Sequence, residues 1–344
     1  MTEQGINFEM NAENLYGDHL PGIISDGILA PEMQRLRQIG MNCGCEYTSF
    51  PLFLSMKGWY TRYQHSIGTA LIVWLFTQSH AQTLAALFHD IATPCFAHVV
   101  DFMRNDHMKQ ESTEDQTREI IAGSEDLGTV LRKYGLKVDN VADYHQYPVA
   151  DNDSPQLSAD RLEYTFGNLV NFGKCTESQV TGMLNDLTVG KNEYGEEELM
   201  FRTFEQARRF AFGALEMGKI YVSEEDRFSM QALAELLKDA VREKVISMQD
   251  LWTDEPSVIR KLSADQEFRK RWMYFRGYRQ IVCGREDGIV IRAKKRYIDP
   301  AVDGHGRMSA LDPEFRDAVT RFLNESQEIR LSGISDGFTP ETET

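Results

Sequence analysis

Four ionisable residues in three separate segments have the side chains needed to bind a metal ion. His65 follows Arg62 by three residues, His89 and Asp90 form a doublet, and Asp160 lies far downstream. Each lies in an apolar segment with helical periodicity, where a polar side chain requires a partner or a ligand. Imidazole nitrogens and carboxylate oxygens suit a divalent transition metal that keeps open positions for water. The set therefore predicts metal-assisted hydrolysis, with His65, His89, Asp90 and Asp160 as metal ligands.

The chain must bend sharply at the His-Asp doublet for this prediction to hold. Adjacent residues on a regular helix point about 100° apart, so His89 and Asp90 reach one ion only if the helix ends there. The residues at 91–94, Ile-Ala-Thr-Pro, supply such an end. Taken singly, each residue could be a hydrogen-bonded helix-end histidine or a solvated aspartate. Only the ordered set favours a metal site.

Three motifs carry a family resemblance. They are Arg-x-x-His at 62–65, Ala-x-Leu-x-His-Asp at 85–90 and Ala-Asp-Arg-Leu-x-Tyr at 159–164. In this order they resemble the HD-domain phosphohydrolases, and most of all the deoxynucleoside triphosphate triphosphohydrolases, the branch of the SAM-and-HD-domain enzyme. The likeness spans about 28–187 and returns weakly at 289–300. It implies a mainly α fold, an HD-domain helical bundle with small β-hairpin elements, and a deoxynucleoside triphosphate as substrate.

The resemblance also implies roles for residues around the metal. Arg62 would face phosphate, while Arg161 and Tyr164 would contact the phosphates or the sugar. Tyr164 lies four residues after Asp160 and so shares its helix face. Two alternatives stay open: Arg161 can pair with Glu163 at the surface, and Tyr164 can be a core residue.

A second pair, His98 and Asp101, lies three residues apart on one helix face. By resemblance this pair belongs to the catalytic machinery, where a carboxylate fixes the tautomer of a proton-transferring imidazole. An ordinary surface pair is the alternative.

The chain departs from the family pattern at three places. The Gly-His-Gly-Pro stretch after the doublet is Ala-Thr-Pro-Cys at 92–95, and the catalytic His-Glu step is Gln110-Glu111. Asn168 stands where an acidic residue is expected. Gln110 and Asn168 are then predicted to contact the substrate. His107 is a candidate catalytic residue in place of the lost histidine; holding a second metal with His98 and lying at the surface are its alternatives.

These departures keep other functions open. A nucleoside 5′-monophosphate phosphatase needs fewer cationic contacts than a triphosphohydrolase, and a catalytically weakened HD protein could still bind nucleotide. Two histidines with two carboxylates favour Mn, Fe, Ni or Zn as the metal, and Mg less.

Composition excludes some classes of protein. The formal charge of −16 argues against general nucleic-acid binding. Basic residues nevertheless concentrate at 260–296, together with Trp272, Tyr274, Phe275 and Tyr278. A solvated face backed by core aromatics is one explanation, and a phosphate-binding, subunit-contact or single-strand-binding surface is another. The 5 scattered cysteines indicate reduced thiols, with half of a zinc site at Cys43 and Cys45 as the alternative.

The chain organisation predicts four parts. These are an N-terminal extension at 1–27, the metallohydrolase core at 28–190, a C-terminal helical region with short strands at 191–331, and a disordered tail at 332–344. Turn residues predict a hairpin at 188–202 and two strands within 279–298. No apolar run approaches the roughly 20 residues of a membrane span, and a cytoplasmic protein able to form a homo-oligomer is expected.

Overall fold

The fold is known from a computed structural model that describes residues 20–103 and 116–336. His107 and Gln110 lie outside the described residues. The helices are α1 Gly22–Gly27, α2 Pro31–Arg35, α3 Pro51–Leu54, α4 Arg62–Thr77, α5 His80–Phe88, α6 Val99–Met103, α7 Thr117–Gly123, α8 Glu125–Lys133, α9 Ala159–Asn171, α10 Glu177–Asn185, α11 Phe204–Ile220, α12 Glu224–Arg242, α13 Glu255–Ala264, α14 Gln266–Arg276, α15 Met308–Leu311 and α16 Pro313–Asn324. The strands are β1 Leu187–Lys191, β2 Glu197–Phe201, β3 Tyr278–Cys283, β4 Ile289–Val290, β5 Ala301–Val302, β6 Gly306–Arg307 and β7 Arg330–Ser335. The predicted mainly α fold with small β elements is confirmed.

Helix α4 is the central element of the metallohydrolase core. Its first turn is closed by a capping box, in which Thr61 accepts from the Gln64 backbone and the Gln64 side chain accepts from Thr61. The chain leaves the helix at Gln78, whose left-handed φ of 50° ends the hydrogen-bonding pattern. Every residue from 65 to 73 is buried, and both α5 and α9 pack against this helix.

The helix break predicted at the doublet is confirmed. Helix α5 begins behind a Ser79 cap and ends at Phe88, so that His89 is the C-cap and Asp90 lies in the following turn. The next helix, α6, begins only at Val99, and the preceding Phe96 and Ala97 have φ of 60° and 44°. Left-handed backbone cannot continue a right-handed helix, which explains the later start.

Helix α9 brings the third ligand segment against α4. Ser158 caps its first turn by accepting from the Arg161 backbone. Two glycines allow close contact with its buried polar face. A Cβ on Gly68 would lie 2.4 Å from Glu163 Oε1, and a Cβ on Gly167 would lie 2.5 Å from the Tyr60 hydroxyl. Larger residues at 68 and 167 would therefore displace these groups.

The strands form two small sheets, of order β1-β2-β5-β6 and β3-β7-β4. The predicted hairpin is β1 and β2, paired antiparallel. The two strands predicted within 279–298 also form, but they do not pair with each other, because β7 lies between β3 and β4. Residues 332–335 accordingly belong to a strand, in contrast to the disordered tail expected from residue 332. Residues 337–344 lie outside the described range.

The C-terminal helices share a second hydrophobic cluster with the segment around α6. It contains Trp272 and Phe275 from the basic segment, both buried. Ion pairs with acidic side chains engage Lys261, Arg271, Arg279, Arg285 and Arg292. These contacts support a solvated basic face backed by core aromatics. Within the described ranges, no helix is both long and apolar enough to cross a membrane.

Candidate metal centre

Side chains from α4, α5 and α9 converge at one point. His65 Nε2 lies 3.0 Å from Asp160 Oδ1 and 3.1 Å from His89 Nε2. His89 Nε2 lies 3.7 Å from Asp160 Oδ1. All three ligand atoms fall within 4.8 Å of one another. The structure therefore brings together three residues that the sequence placed far apart.

Asp90 lies at the edge of this cluster. Its Oδ2 is 3.8 Å from His65 Nε2 and 3.7 Å from His89 Nε2. The same oxygen accepts a hydrogen bond of 2.9 Å from Arg62 Nη1, while Oδ1 accepts from the Thr93 hydroxyl at 2.7 Å. Asp90 is thus close to the other ligand atoms and also forms an ion pair with Arg62.

The outer nitrogens of both histidines are held by acceptors. His89 Nδ1 donates to the Ala86 carbonyl at 2.6 Å, and His65 Nδ1 lies 2.5 Å from Glu163 Oε2. The Tyr60 hydroxyl donates to the same Glu163 oxygen. A protonated Nδ1 leaves the lone pair of Nε2 directed at the cluster, which is the tautomer that binds metals.

The donor set fits a divalent cation. His65 Nε2, His89 Nε2 and Asp160 Oδ1 lie 3.0 to 3.7 Å apart. Without a metal, a proton on His65 Nε2 can form a good hydrogen bond with only one of the other two atoms. Ligands bound to one ion at about 2.0–2.2 Å are separated by about 2.8–3.1 Å in octahedral and about 3.3–3.6 Å in tetrahedral coordination. A metal ion therefore removes the repulsion between these acceptors, and the nitrogen and oxygen donors suit a transition metal.

The charges around the cluster stabilise the ionised forms of its two aspartates. Burial raises the pKa of Asp90, but Arg62 and the two histidines outweigh it and hold that pKa well below its usual value. Burial likewise opposes ionisation of Asp160, yet the hydrogen bond with His65 lowers its pKa to about 2. Both carboxylates are therefore anionic at neutral pH and available as ligands.

Metal binding should strengthen as the pH rises. Burial lowers the pKa of His65, but hydrogen bonds with Asp160 and Glu163 raise it to about 10 in the metal-free protein. A metal must displace this proton, so apparent affinity should rise about tenfold per pH unit between pH 6 and 9. Titration calorimetry with Mn²⁺ in buffers of different ionisation enthalpy would count the protons released.

The same shift predicts the stability of the metal-free protein. A pKa raised above the usual 6.5 adds stability that is fully present below about pH 6.5 and is lost as the pH rises through 10. The free energy of unfolding with chelator should therefore fall from pH 7 to pH 10. An affinity for Mn²⁺ that does not change with pH would contradict the coordination of His65.

The pair predicted at His98 and Asp101 forms. His98 Nδ1 lies 3.1 Å from Asp101 Oδ2, with the aspartate buried and 28% of the His98 side chain exposed. The Cys43 thiol links this pair to the site, because Arg62 lies near it and the His98 backbone hydrogen-bonds to it. The buried thiol has its pKa raised to about 12, so it is protonated. The catalytic role of His98 and Asp101 stays a prediction.

Two predicted substrate residues lie beside the ligands. The ring of Tyr164 is centred 6.4 Å from that of His65 and 6.3 Å from that of Tyr221. Asn168 Nδ2 donates to the Tyr221 hydroxyl at 2.8 Å. Among the described residues, its buried Oδ1 has no hydrogen-bond partner. An acceptor of this kind can bind a hydroxyl of a ligand.

Arg161 makes contacts that its position in the motif did not predict. Its Nη1 donates to Asp151 Oδ1 at 2.6 Å and its Nε to the Gln156 carbonyl at 2.9 Å. Its Nη2 donates to the backbone and side chain of Asn152. The guanidinium thus holds the 151–156 loop, and a phosphate would have to displace Asp151 from it. It does not pair with Glu163 in the described structure either.

Some residues of the site were not found from the sequence. Glu163 was considered only as a partner of Arg161, although its position three residues after Asp160 places it on the same helix face. Tyr144 lies in a short turn without periodic pattern, so nothing in the sequence connected it to the ligands. The Tyr144 ring is centred 5.0 Å from that of His89.

Two known proteins are similar to this chain in sequence. The chain is 26% identical over 257 residues to the uncharacterized protein YdhJ of Bacillus subtilis, covering 73% of this chain and 74% of that protein. It is 26% identical over 181 residues to the metal-dependent phosphohydrolase cns2 of Cordyceps militaris, spanning 51% of this chain and about half (49%) of that protein. No family model matches the chain.

A solved structure shares the fold. A phosphohydrolase from Bacteroides thetaiotaomicron superposes with a TM-score of 0.51 at 16% identity, covering 77% of this chain and 76% of the other. The structural likeness shows a shared fold, and the names of two of these proteins describe phosphohydrolases. Membership of the triphosphohydrolase branch of HD-domain proteins stays a prediction.

Proposed function

We propose that this HD-domain protein is a metal-dependent phosphohydrolase acting on nucleoside 5′-monophosphates. Its metal would be held by His65, His89 and Asp160, with Asp90 as the fourth ligand. When bound, such an ion lowers the pKa of a water molecule and polarises a phosphoryl oxygen. The name of the Cordyceps militaris relative, a metal-dependent phosphohydrolase, supports this chemistry.

The contacts of Arg161 favour a substrate with a single phosphate. The family resemblance implies that Arg161 contacts the phosphates or the sugar, and that the substrate is a deoxynucleoside triphosphate. Because Asp151, Asn152 and Gln156 engage its donors, Arg62 is the arginine left within the ligand cluster. Its Nε is buried and has no hydrogen-bond partner among the described residues, so it can donate to one phosphoryl group. A monophosphate needs less positive charge than a triphosphate.

The chain's own residues would then orient the nucleotide. Arg62 holds the phosphoryl group beside the carboxylate of Asp90, which keeps the guanidinium in place at 2.9 Å. Asn168 Oδ1 accepts a hydrogen bond from a sugar hydroxyl. Tyr164, whose ring lies near those of His65 and Tyr221, would cover the apolar side of the sugar and exclude water. The phosphorus is thereby presented in line for attack.

A deoxynucleoside triphosphate is the second candidate substrate. Burial raises the pKa of Tyr164 to about 12, and the charge of Arg296 acts against this shift. The positive charge of Arg296, an exposed residue of the basic segment, therefore acts electrostatically on the Tyr164 hydroxyl. It could supply the additional positive charge that a triphosphate requires.

The two substrates are distinguished by their products. With Mn²⁺ present, the purified protein should release inorganic phosphate and deoxyguanosine from dGMP, with kcat/KM at least about tenfold above that for dGTP, the equivalent of about 1.4 kcal/mol. Chromatography and a phosphate assay measure both reactions. Release of inorganic triphosphate from dGTP alone would instead support the triphosphohydrolase. Nucleotide binding without any product, under several metals, would overturn the assignment as an enzyme.

A further inference from the structure

The turn that follows the His-Asp doublet carries the Asp90 carboxylate. The Thr93 hydroxyl donates to Asp90 Oδ1 at 2.7 Å, and the Thr93 backbone donates to the Asp90 carbonyl at 2.9 Å. These two bonds close the turn on itself. Because helix α5 ends at Phe88 and Asp90 lies beyond it, the place of the whole turn relative to the ligand histidines depends on contacts with other segments.

The guanidinium of Arg35, the last residue of α2, holds this turn. Its Nη2 donates to the carbonyls of Ile91 and Thr93, both at 2.8 Å. Its Nη1 donates to the Thr253 carbonyl at 3.1 Å. A guanidinium presents its donors in a rigid, planar fork, so one side chain fixes the turn relative to Thr253. Burial lowers the pKa of Arg35, and the charge of Asp90 is among those that oppose this shift.

The anchor of this guanidinium lies in the C-terminal region, in the segment 251–255 that leads into α13. The same segment holds the chain immediately after the turn. The Cys95 backbone donates to the Leu251 carbonyl at 2.7 Å, and the Phe96 backbone donates at 3.1 Å to Oε1 of the fully buried Glu255. The chain that follows the turn is therefore bonded to this segment twice directly, and the turn itself is bonded to it through the guanidinium.

We propose that Arg35 is a positioning residue for Asp90 and that it couples the metal centre to the C-terminal region. Its side chain holds the turn so that Asp90 Oδ2 stays within 3.8 Å of the Nε2 atoms of both ligand histidines. Arg62 contacts the carboxylate itself at 2.9 Å, whereas Arg35 binds the backbone that carries it. Groups behind a metal ligand orient it and commonly account for about 10–100-fold in metal affinity. This inference rests on the metal binding of the proposed function and does not depend on the substrate.

A double-mutant cycle on metal affinity tests this role. Zn²⁺ is the probe, because it binds nitrogen and oxygen donors more tightly than Mn²⁺ and so keeps weakened variants measurable. In the intact chain, Arg35→Ala should raise the Kd for Zn²⁺ by about 10–100-fold. In the Asp90→Ala background the same substitution should change the Kd by less than about twofold, because no carboxylate remains for the turn to position. Competition with a chelator of known affinity measures the Kd of all four proteins.

Two further variants separate positioning from a general loss of structure. Arg37→Ala removes the same charge from an exposed residue two positions away and should bind Zn²⁺ as tightly as the wild type. Arg35→Lys keeps a donor and the charge but loses the fork, so it should recover part of the affinity lost in Arg35→Ala. Should Arg35→Ala fail to fold, Arg35→Lys with and without Asp90→Ala makes the same comparison.

The outcomes distinguish this inference from the proposed function. An equal loss of Zn²⁺ affinity with and without Asp90→Ala would show that Arg35 acts on the fold as a whole, and an unchanged Kd in Arg35→Ala would show that the turn needs no such support. Either result would overturn the positioning role and leave the metal centre intact. A wild-type protein that binds no Zn²⁺ would overturn the proposed metal-dependent function and this inference with it.

Discussion

Replacing Asp160 by alanine is expected to remove the bound metal and to lower turnover by about 10³-fold or more. Asp160 Oδ1 is the oxygen donor that lies 3.0 Å and 3.7 Å from the two Nε2 atoms, and the described cluster offers no other carboxylate oxygen as close to His65 Nε2. A catalytic metal supplies several kcal/mol to the transition state, and each 1.4 kcal/mol is about tenfold in rate. Elemental analysis and kcat measure the two effects, and His89→Ala should behave alike.

The matched control for this substitution is Asp153→Ala. Asp153 is an exposed carboxylate seven residues before Asp160, so its loss changes the net charge equally and leaves the cluster untouched. Its metal content and turnover should equal those of the wild type. Full metal content in both Asp160→Ala and His89→Ala would refute the ligand assignment and the phosphohydrolase mechanism built on it.

Arg62→Ala is expected to destabilise the protein by about 3–5 kcal/mol and to lower kcat/KM strongly. Its guanidinium is buried and pairs with Asp90 at 2.9 Å, so the truncation leaves a buried carboxylate without its compensating charge. The phosphoryl contact is lost at the same time. Urea unfolding with chelator present isolates the first effect, and kinetics with saturating Mn²⁺ isolate the second. Arg62→Lys keeps the positive charge but loses the planar guanidinium. Its stability and its kcat/KM should therefore lie between those of the wild type and those of Arg62→Ala.

The pH dependence of this loss follows from Asp90. Arg62 contributes to holding the pKa of Asp90 well below its usual value against burial. A lowered pKa adds stability that is present above the unfolded value of about 3.9 and is lost as the pH falls. The stability difference between wild type and Arg62→Ala should therefore be largest near neutral pH and shrink in acid. Arg285→Ala, which breaks an exposed pair with Asp287, should leave stability close to that of the wild type, because solvent screens exposed ion pairs.

Much of the local structure could be predicted from the sequence, because local physics decides it. The Ile-Ala-Thr-Pro stretch at 91–94 predicts a helix end at the doublet, and α5 does end at Phe88. Thr176 predicts the cap of α10, where a capping box forms. The ligand residues could be named because their types and order are specific, although convergence of His65, His89 and Asp160 within 4.8 Å depends on three helices packing.

Contacts between segments without periodic pattern could not be predicted. The pairing of β7 between β3 and β4 joins residues far apart in the chain, and no turn residue signals it. The start of α6 could not be predicted either. It is delayed to Val99 because Phe96 and Ala97 adopt left-handed backbone, which neither residue type indicates.

The sequence by itself determined the chemistry available to this protein: the histidines and carboxylates, and the helices on which most of them lie. Tertiary structure decided which of these groups touch. It gave His65 its Glu163 partner, paired Arg161 with Asp151, and placed the Tyr144 ring beside that of His89. The physical reason is that side-chain pairing depends on the packing distance and rotation of whole helices and turns, which residue spacing along one segment does not specify.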